Sequence, residues 1–233
     1  MKRYITIIRN EVILLNKEDV IKNKNEAVQM MEDYLEHCLS IDDINIKKAN
    51  LIAYWQKDYI NYLKEEEIFN PIKLKTYERG DVIKANLGFN IGSELGGLHY
   101  CVVIDKKNNR KSPVITVIPL SSKKKDTINK NSIFLGNDIY NKLSKKSYSL
   151  LQNSKEHMEN IKLAEKINKE VQKMKYGSIA IINQIRVISK QRIYDPKTEF
   201  DILNGIKLSD ENLNLIDNKM KKMFIKKINI FID

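Results

Sequence analysis

The chain has 233 residues, 41 Lys/Arg against 30 Asp/Glu, 3 His and 2 Cys. It is long enough for one large domain or a small domain with substantial additions, and no apolar run approaches the length needed to span a membrane. The charge is divided unevenly: residues 1–79 hold 13 basic and 14 acidic side chains, a net of −1, while residues 80–233 hold 28 and 16, a net of +12. A surface of that sign attracts phosphate backbones whatever their sequence.

The opening apolar piece Tyr4–Ile8 is interrupted at once by Arg9, Asn10 and Glu11, which does not fit a signal peptide. Ala27, Met31, Tyr34, Leu35 and Cys38 recur at helical spacing and predict one amphipathic helix. Ser40 with Asp43 three residues on reads as the cap of a second helix, with Ile52, Trp55, Tyr59, Tyr62 and Leu63 on one face and Pro71 limiting its extension. Aromatics at that spacing are read first as core, and secondarily as base-stacking surfaces. Residues 1–75 are therefore expected to form an N-terminal helical extension.

The pattern then changes to short strands. Asp81–Leu87 alternates, and Tyr100–Ile104 is an apolar run, so both flank a hairpin whose loop contains Gly92-Ser93-Glu94-Leu95-Gly96-Gly97. Glycine there permits positive φ and close approach of a ligand to the main chain. Asn108–Pro113 is a polar turn before another apolar strand, Pro113–Ser122. In the 129–175 segment, Met158, Ile161, Ala164, Ile167, Val171 and Met174 predict an amphipathic helix. After the Ser178–Arg192 segment, Ser209-Asp210-Glu211 opens a C-terminal helix with Leu213, Ile216, Met220, Met223 and Phe224 inward, and lysines near its end suit the dipole. Ile228–Ile232 reads as a short edge strand. Cys38 and Cys101 have no pair or metal spacing and read as core residues in a reducing cytoplasm.

Three blocks in order carry a family resemblance: Arg79-Gly80-Asp81-Val82 with Gly92–Gly97; Pro113–Ser122; and Ser178–Arg192, which contains Gln184-Ile185-Arg186. Together they resemble the MazF/PemK toxins over about residues 77–128 and 176–232. The resemblance implies an α+β fold, a small SH3-like antiparallel β-barrel in a 76–233 domain, here with a helical insertion at about 129–175 and a C-terminal helix. It further implies the toxin of a toxin–antitoxin pair: a sequence-selective, metal-independent endoribonuclease acting on single-stranded RNA. The implied products are a 2′,3′-cyclic phosphate and a 5′-hydroxyl. A cytoplasmic homodimer, inhibition by a small acidic antitoxin, and DNA binding only together with that antitoxin follow from the same resemblance.

Metal-free RNA cleavage needs a base for the 2′-hydroxyl, an acid for the leaving 5′-oxygen and donors for the charged phosphorane. His99 is the acid/base candidate, because histidine changes charge near neutral pH. It stands where the resembling family usually has a catalytic arginine followed by proline; here the pair is His99-Tyr100. His37 and His157 read as surface residues. Ser121 corresponds to the family's catalytic hydroxyl, with Ser122 as the one-residue alternative and Lys123-Lys124-Lys125 supplying charge. Ser93, Glu94, Gly96, Gly97, Ser122, Lys123, Gln184 and Arg186 are the candidate substrate contacts; arginine's planar fork suits a phosphate or a guanine edge. Arg192 reads as a brace at the strand end.

There is no GxxxxGK[ST] loop, no HExxH and no Cys/His cluster at zinc spacing, so no metal or other cofactor is expected. Two other readings remain open: a non-catalytic RNA-binding or regulatory module that kept the fold, and a protein-interaction scaffold.

Overall fold

A computed structural model describes residues 16–123, 129–152 and 158–226, with side-chain surroundings in the last segment from residue 161 onward. The opening piece Tyr4–Ile8, the strand expected at Ile228–Ile232, His157, Lys124 and Lys125 lie outside the described residues. Two compact units divide the chain, Met1–Lys57 and Asp58–Asp233.

The first unit holds α1 (Lys17–Leu39) and most of α2 (Asp43–Glu65). Asn16 caps α1, its side chain accepting from Asp19 N. Ser40 closes α1 instead of opening α2: its N–H reaches Glu36 O and His37 O, and its hydroxyl donates to His37 O at 2.8 Å. Asp42 takes the N-terminal position of α2, its carboxylate accepting from Asn45 N at 2.8 Å, because the three-residue link leaves Ser40 still wound into the preceding helix. Burial is sparse. Cys38, Ala49 and Ile52 are buried, whereas Val28, Met30, Ile44, Leu51 and Tyr54 are exposed.

The second unit is a bent antiparallel sheet: β1 (Val82–Asn86), β2 (Leu98–Val103), β3 (Val114–Ser122), β4 (Ser132–Phe134), β5 (Ser178–Ile181), β6 (Arg186–Ser189) and β7 (Ile193–Asp195). The order is β4-β5-β3-β2-β1-β7, with β6 also on β3, so the pairing path is not closed into a ring. Nine-residue β3 organises the bend. Its first half pairs with β6 (Val117↔Arg186) and its second with β5 (Leu120↔Ala180), both on the edge away from β2. Pro119, lacking an N–H, lies at the break between them. Opposite that break the Ser178–Arg192 segment interrupts its extension with a 3-10 turn, Ile182–Gln184. Gln184 therefore sits in a turn, not on the same strand as Arg186.

Alternation gives the sheet two apolar faces. One face carries Val82, Val102, Ile118, Leu120 and Ala180 against three helices: Ile139 and Leu143 of α3 (Asp138–Gln152), Ile167 and Val171 of α4 (Met158–Lys173), and Leu213 and Ile216 of α5 (Asp210–Phe224). The other carries Ile83, Ala85, Cys101, Val103, Val117 and Ile188, clustered with Tyr77 and Ile193 and with Leu74 and Leu95 packed against them. The 129–175 segment thus holds two helices, where one was expected. A partly buried pair, Lys84 to Glu170 at 3.2 Å, ties α4 to β1. Arg79 donates to Ile104 O and pairs with Asp217, tying α5 to the end of β2. Ser209 caps α5 as expected, but Phe224 is exposed because the core ends at Met223. No described helix is long and apolar enough to cross a membrane.

Candidate functional site

The glycine loop connects β1 to β2, and its main chain is gathered by side chains from both ends of the domain. Leu87 N donates to Gly97 O at 2.8 Å and Gly97 N to Gly88 O at 2.6 Å, closing the base of the loop. Gly97 has φ 84°, a conformation that L side chains rarely adopt. A Cβ on Gly96 would lie 2.5 Å from Gly88 O, so the two backbones approach as closely as they do only because position 96 has no side chain. Asn90 spans the interior, its amide donating to Leu87 O at 3.1 Å and Leu95 O at 2.8 Å. Leu95 packs into the smaller apolar cluster.

Gln184 and Arg186 meet this loop. Gln184 accepts from Leu95 N at 3.1 Å and donates to Ser93 O at 3.1 Å. Arg186 donates through Nη1 to Leu95 O at 3.0 Å, through Nη2 to Gln184 Oε1 at 2.7 Å and through Nε to Gln184 O at 3.3 Å. Three of five guanidinium N–H groups are thus spent within the domain. Ser93 and Glu94 stand exposed at the loop's tip.

His99 lies where the loop enters β2, opposite Ala85. By alternation it projects to the same face as Cys101 and Val103. Cys101 pairs with Pro119 and Val103 with Val117, and Val117 also pairs with Arg186. His99, Ser121 and Arg186 therefore share one face of the sheet, at the rim beneath the loop. His99 Nδ1 lies 3.4 Å from Leu120 O. A carbonyl oxygen only accepts, so Nδ1 can join this long contact only as a donor, which is the tautomer in which Nε2 is the acceptor. Ser121 is half-buried, its hydroxyl making one long contact to Ser122 O at 3.4 Å.

Ser122 faces the other way, its hydroxyl donating to Lys173 O at the end of α4. Lys123 Nζ lies over the Phe134 ring at 5.0 Å. Neither is gathered with His99. Cys101, though beside the arginines, is no nucleophile: burial pushes its thiol up to about 12, against the opposing pull of Arg186 and Arg192. Arg192 donates through Nε to Asn86 O at 2.7 Å, bracing the end of β1. Among the described residues no three His, Cys, Asp or Glu side chains converge as a metal-holding group.

Residues 78–155 match the family model of the PemK-like, MazF-like toxins of type II toxin–antitoxin systems. The chain carries a PemK/MazF-like toxin domain. The matched span contains the whole glycine loop, His99 and Ser121, and ends before the Gln184 and Arg186 block that the structure brings to them. Among solved structures, an endoribonuclease in complex with its cognate antitoxin from Mycobacterial species matches at 13% identity, covering 63% of this chain and 93% of that chain with a TM-score of 0.35. That likeness is too distant to assign roles to residues of the toxin domain. No curated protein matches the chain.

Sequence reasoning missed Asn86 and Asn90. Each stands two residues from Gly88, and asparagine and glycine clustered in a few residues are a turn signal that could have drawn attention to them.

Proposed function

We propose that this chain is the endoribonuclease toxin of a type II toxin–antitoxin pair, cleaving single-stranded RNA sequence-selectively and without metal in the cytoplasm. The observation that carries this reading is the placement of His99, Ser121 and Arg186 on one face beneath the glycine loop, the first two within the span that matches the toxin family. In this scheme Nε2 of His99 takes the proton of the 2′-hydroxyl, and the 2′-oxygen attacks the adjacent phosphorus. The P–O5′ bond breaks, and the departing 5′-oxygen takes a proton from water. A 2′,3′-cyclic phosphate and a 5′-hydroxyl result. Ser121 donates to a phosphate oxygen, and the N–H groups that Arg186 has not committed to the loop face the developing charge. Ser93, Glu94, Gly96 and Gly97 contact the bases flanking the scissile bond.

The same reading makes the active form a homodimer held in check by a small acidic antitoxin, attracted by the basic surface of residues 80–233. Residues 1–75 are its N-terminal extension, and residues 129–175 an insertion within the 76–233 toxin domain. One observation favours a second reading, a non-catalytic RNA-binding module: Gln184 and Arg186 spend polar groups on Ser93 and Leu95 rather than holding them open.

Incubating the purified protein with a long RNA in EDTA, with end-mapping of products, separates the two. Discrete cuts ending in cyclic phosphate support the enzyme. Binding without cuts supports the module, and neither cutting nor binding overturns both.

A further inference from the structure

Asn86 is the last residue of β1, and each polar group it carries beyond its own strand is used. Its Oδ1 accepts from Gly88 N at 3.0 Å, its Nδ2 donates to Asp58 Oδ2 at 2.8 Å, and its main-chain oxygen accepts from Arg192 Nε at 2.7 Å. The amide can face only one way, because the Gly88 N–H only donates and the Asp58 carboxylate only accepts. Asp58 begins the last two turns of α2, and a second link holds those turns to the domain: Gln191 Nε2 donates to Tyr62 O at 3.3 Å. The Tyr62 hydroxyl joins the Asn86 side chain as well.

The contacts continue into the site. Gly88, held by Asn86, offers its carbonyl to Gly97 N at 2.6 Å, and the same carbonyl is what Gly96 must approach without a Cβ. Two residues after Gly97 comes His99. The path Asp58, Asn86, Gly88, Gly97, His99 is a run of direct hydrogen bonds followed by two residues of chain.

Resting on the proposed ribonuclease reading, we infer that Asn86 and Asp58 are positioning residues, by which the end of α2 fixes the glycine loop and so aims His99 at its substrate. The Asp58 to Asn86 bond is solvent-exposed, so its net contribution to global stability is small. Its effect is on direction: without the carboxylate, the Asn86 amide keeps the Tyr62 hydroxyl but loses the partner that accepts from its Nδ2, and the acceptor offered to Gly88 N is less firmly held. Catalytic geometry is sensitive to displacements of that size, since a misplacement of about 1 Å can cost roughly 10²-fold in rate.

The test uses the full chain and two readouts: steady-state cleavage of a defined RNA, and amide hydrogen exchange at Gly88 and Gly97. Asp58→Ala should lower kcat by about 10-fold or more with little change in KM, leave Tm nearly unchanged, and accelerate exchange at both glycines. Asn86→Asp, which sets two carboxylates against each other, should do the same more strongly. Adding Asp58→Asn to it reverses the donor and acceptor, and the Asn86→Asp/Asp58→Asn double variant should recover both kcat and slow exchange. Wild-type kcat and exchange in Asp58→Ala, or no recovery in the double variant, would overturn the positioning role. If the unmutated chain cuts no RNA, the ribonuclease reading fails, and the exchange pattern alone decides whether Asn86 and Asp58 hold the loop.

Discussion

His99→Gln keeps a polar side chain in the rim of the sheet but removes the proton exchange. Cleavage is expected to fall by about 10²-fold or more, with RNA affinity nearly unchanged. An unaltered cleavage rate in this variant would move the assignment away from His99. Gly96→Ala is the backbone counterpart. Its Cβ would meet Gly88 O at 2.5 Å, so the loop base must shift, at a stability cost of about 1–3 kcal/mol by analogy with overpacking; both Tm and cleavage should drop. Arg186→Lys separates holding the loop from charge. An ammonium cannot reproduce the three-way fork to Leu95 O, Gln184 O and Gln184 Oε1, so rate and affinity should both weaken although the charge is kept. At this scale the sequence named candidate side chains more readily than their partners. Gln184 and Arg186 were read as candidate substrate contacts, but what they reach in the structure is main chain 91 residues away. Asn86 was legible at most as a turn residue near Gly88, because its other two contacts reach Asp58 and Arg192, positions that no local pattern connects.

Among the elements, α4 was readable from its stripe of Ile161, Ala164, Ile167 and Val171, whereas α3 was not. Its inward face is broken by Ser147, which is buried and bonds Ala164 O at 3.3 Å and Asn168 Oδ1 at 2.8 Å. A polar residue in the middle of an apolar stripe hides the period even when it is well satisfied. The jog between β5 and β6 was equally hidden, because it answers to the bend of β3 and not to its own residues. The start of α3 is tied to the start of α5 through Asp138, which accepts from Ser209 N at 2.7 Å and Asn212 Nδ2 at 3.1 Å and pairs with Lys142 at 2.9 Å. Burial works against the Asp138 charge, but these partners more than offset it and its value lies below the ordinary 3.8. A depressed carboxylate stabilises the fold above its unfolded value and loses that contribution as pH falls through the folded one. The domain should therefore lose stability below about pH 4, and Asp138→Ala should flatten that part of the Tm–pH curve while costing about 1–3 kcal/mol at neutral pH. By contrast, α1 and the first part of α2 were legible as helices but not as exposed ones. Three buried side chains hold little against the cost of ordering two 23-residue helices. A peptide spanning residues 16–57 is expected to show weak helicity by circular dichroism at low micromolar concentration.

For the molecule as a whole, the net of +12 on residues 80–233 sets how it meets RNA. Affinity should fall steeply with salt, by a log–log slope near −0.7 for each phosphate contacted on a single strand. Anisotropy titrations from low to physiological salt measure it, and a flat response would remove the basic surface from the account of binding.

The two cysteines bear on something quite different from chemistry. Cys38 sits at 1% exposure in the first compact unit and Cys101 at 0% in the second, and the sequence contains no other thiol. Each unit is thereby born with a single latent clock. Neither sulfur can react with an aromatic disulfide reagent until its own surroundings open, so each modification rate reports a local opening free energy. Peptide mapping of the labelled sulfur over time would resolve two opening processes within one unaltered chain, or one if the units unfold together.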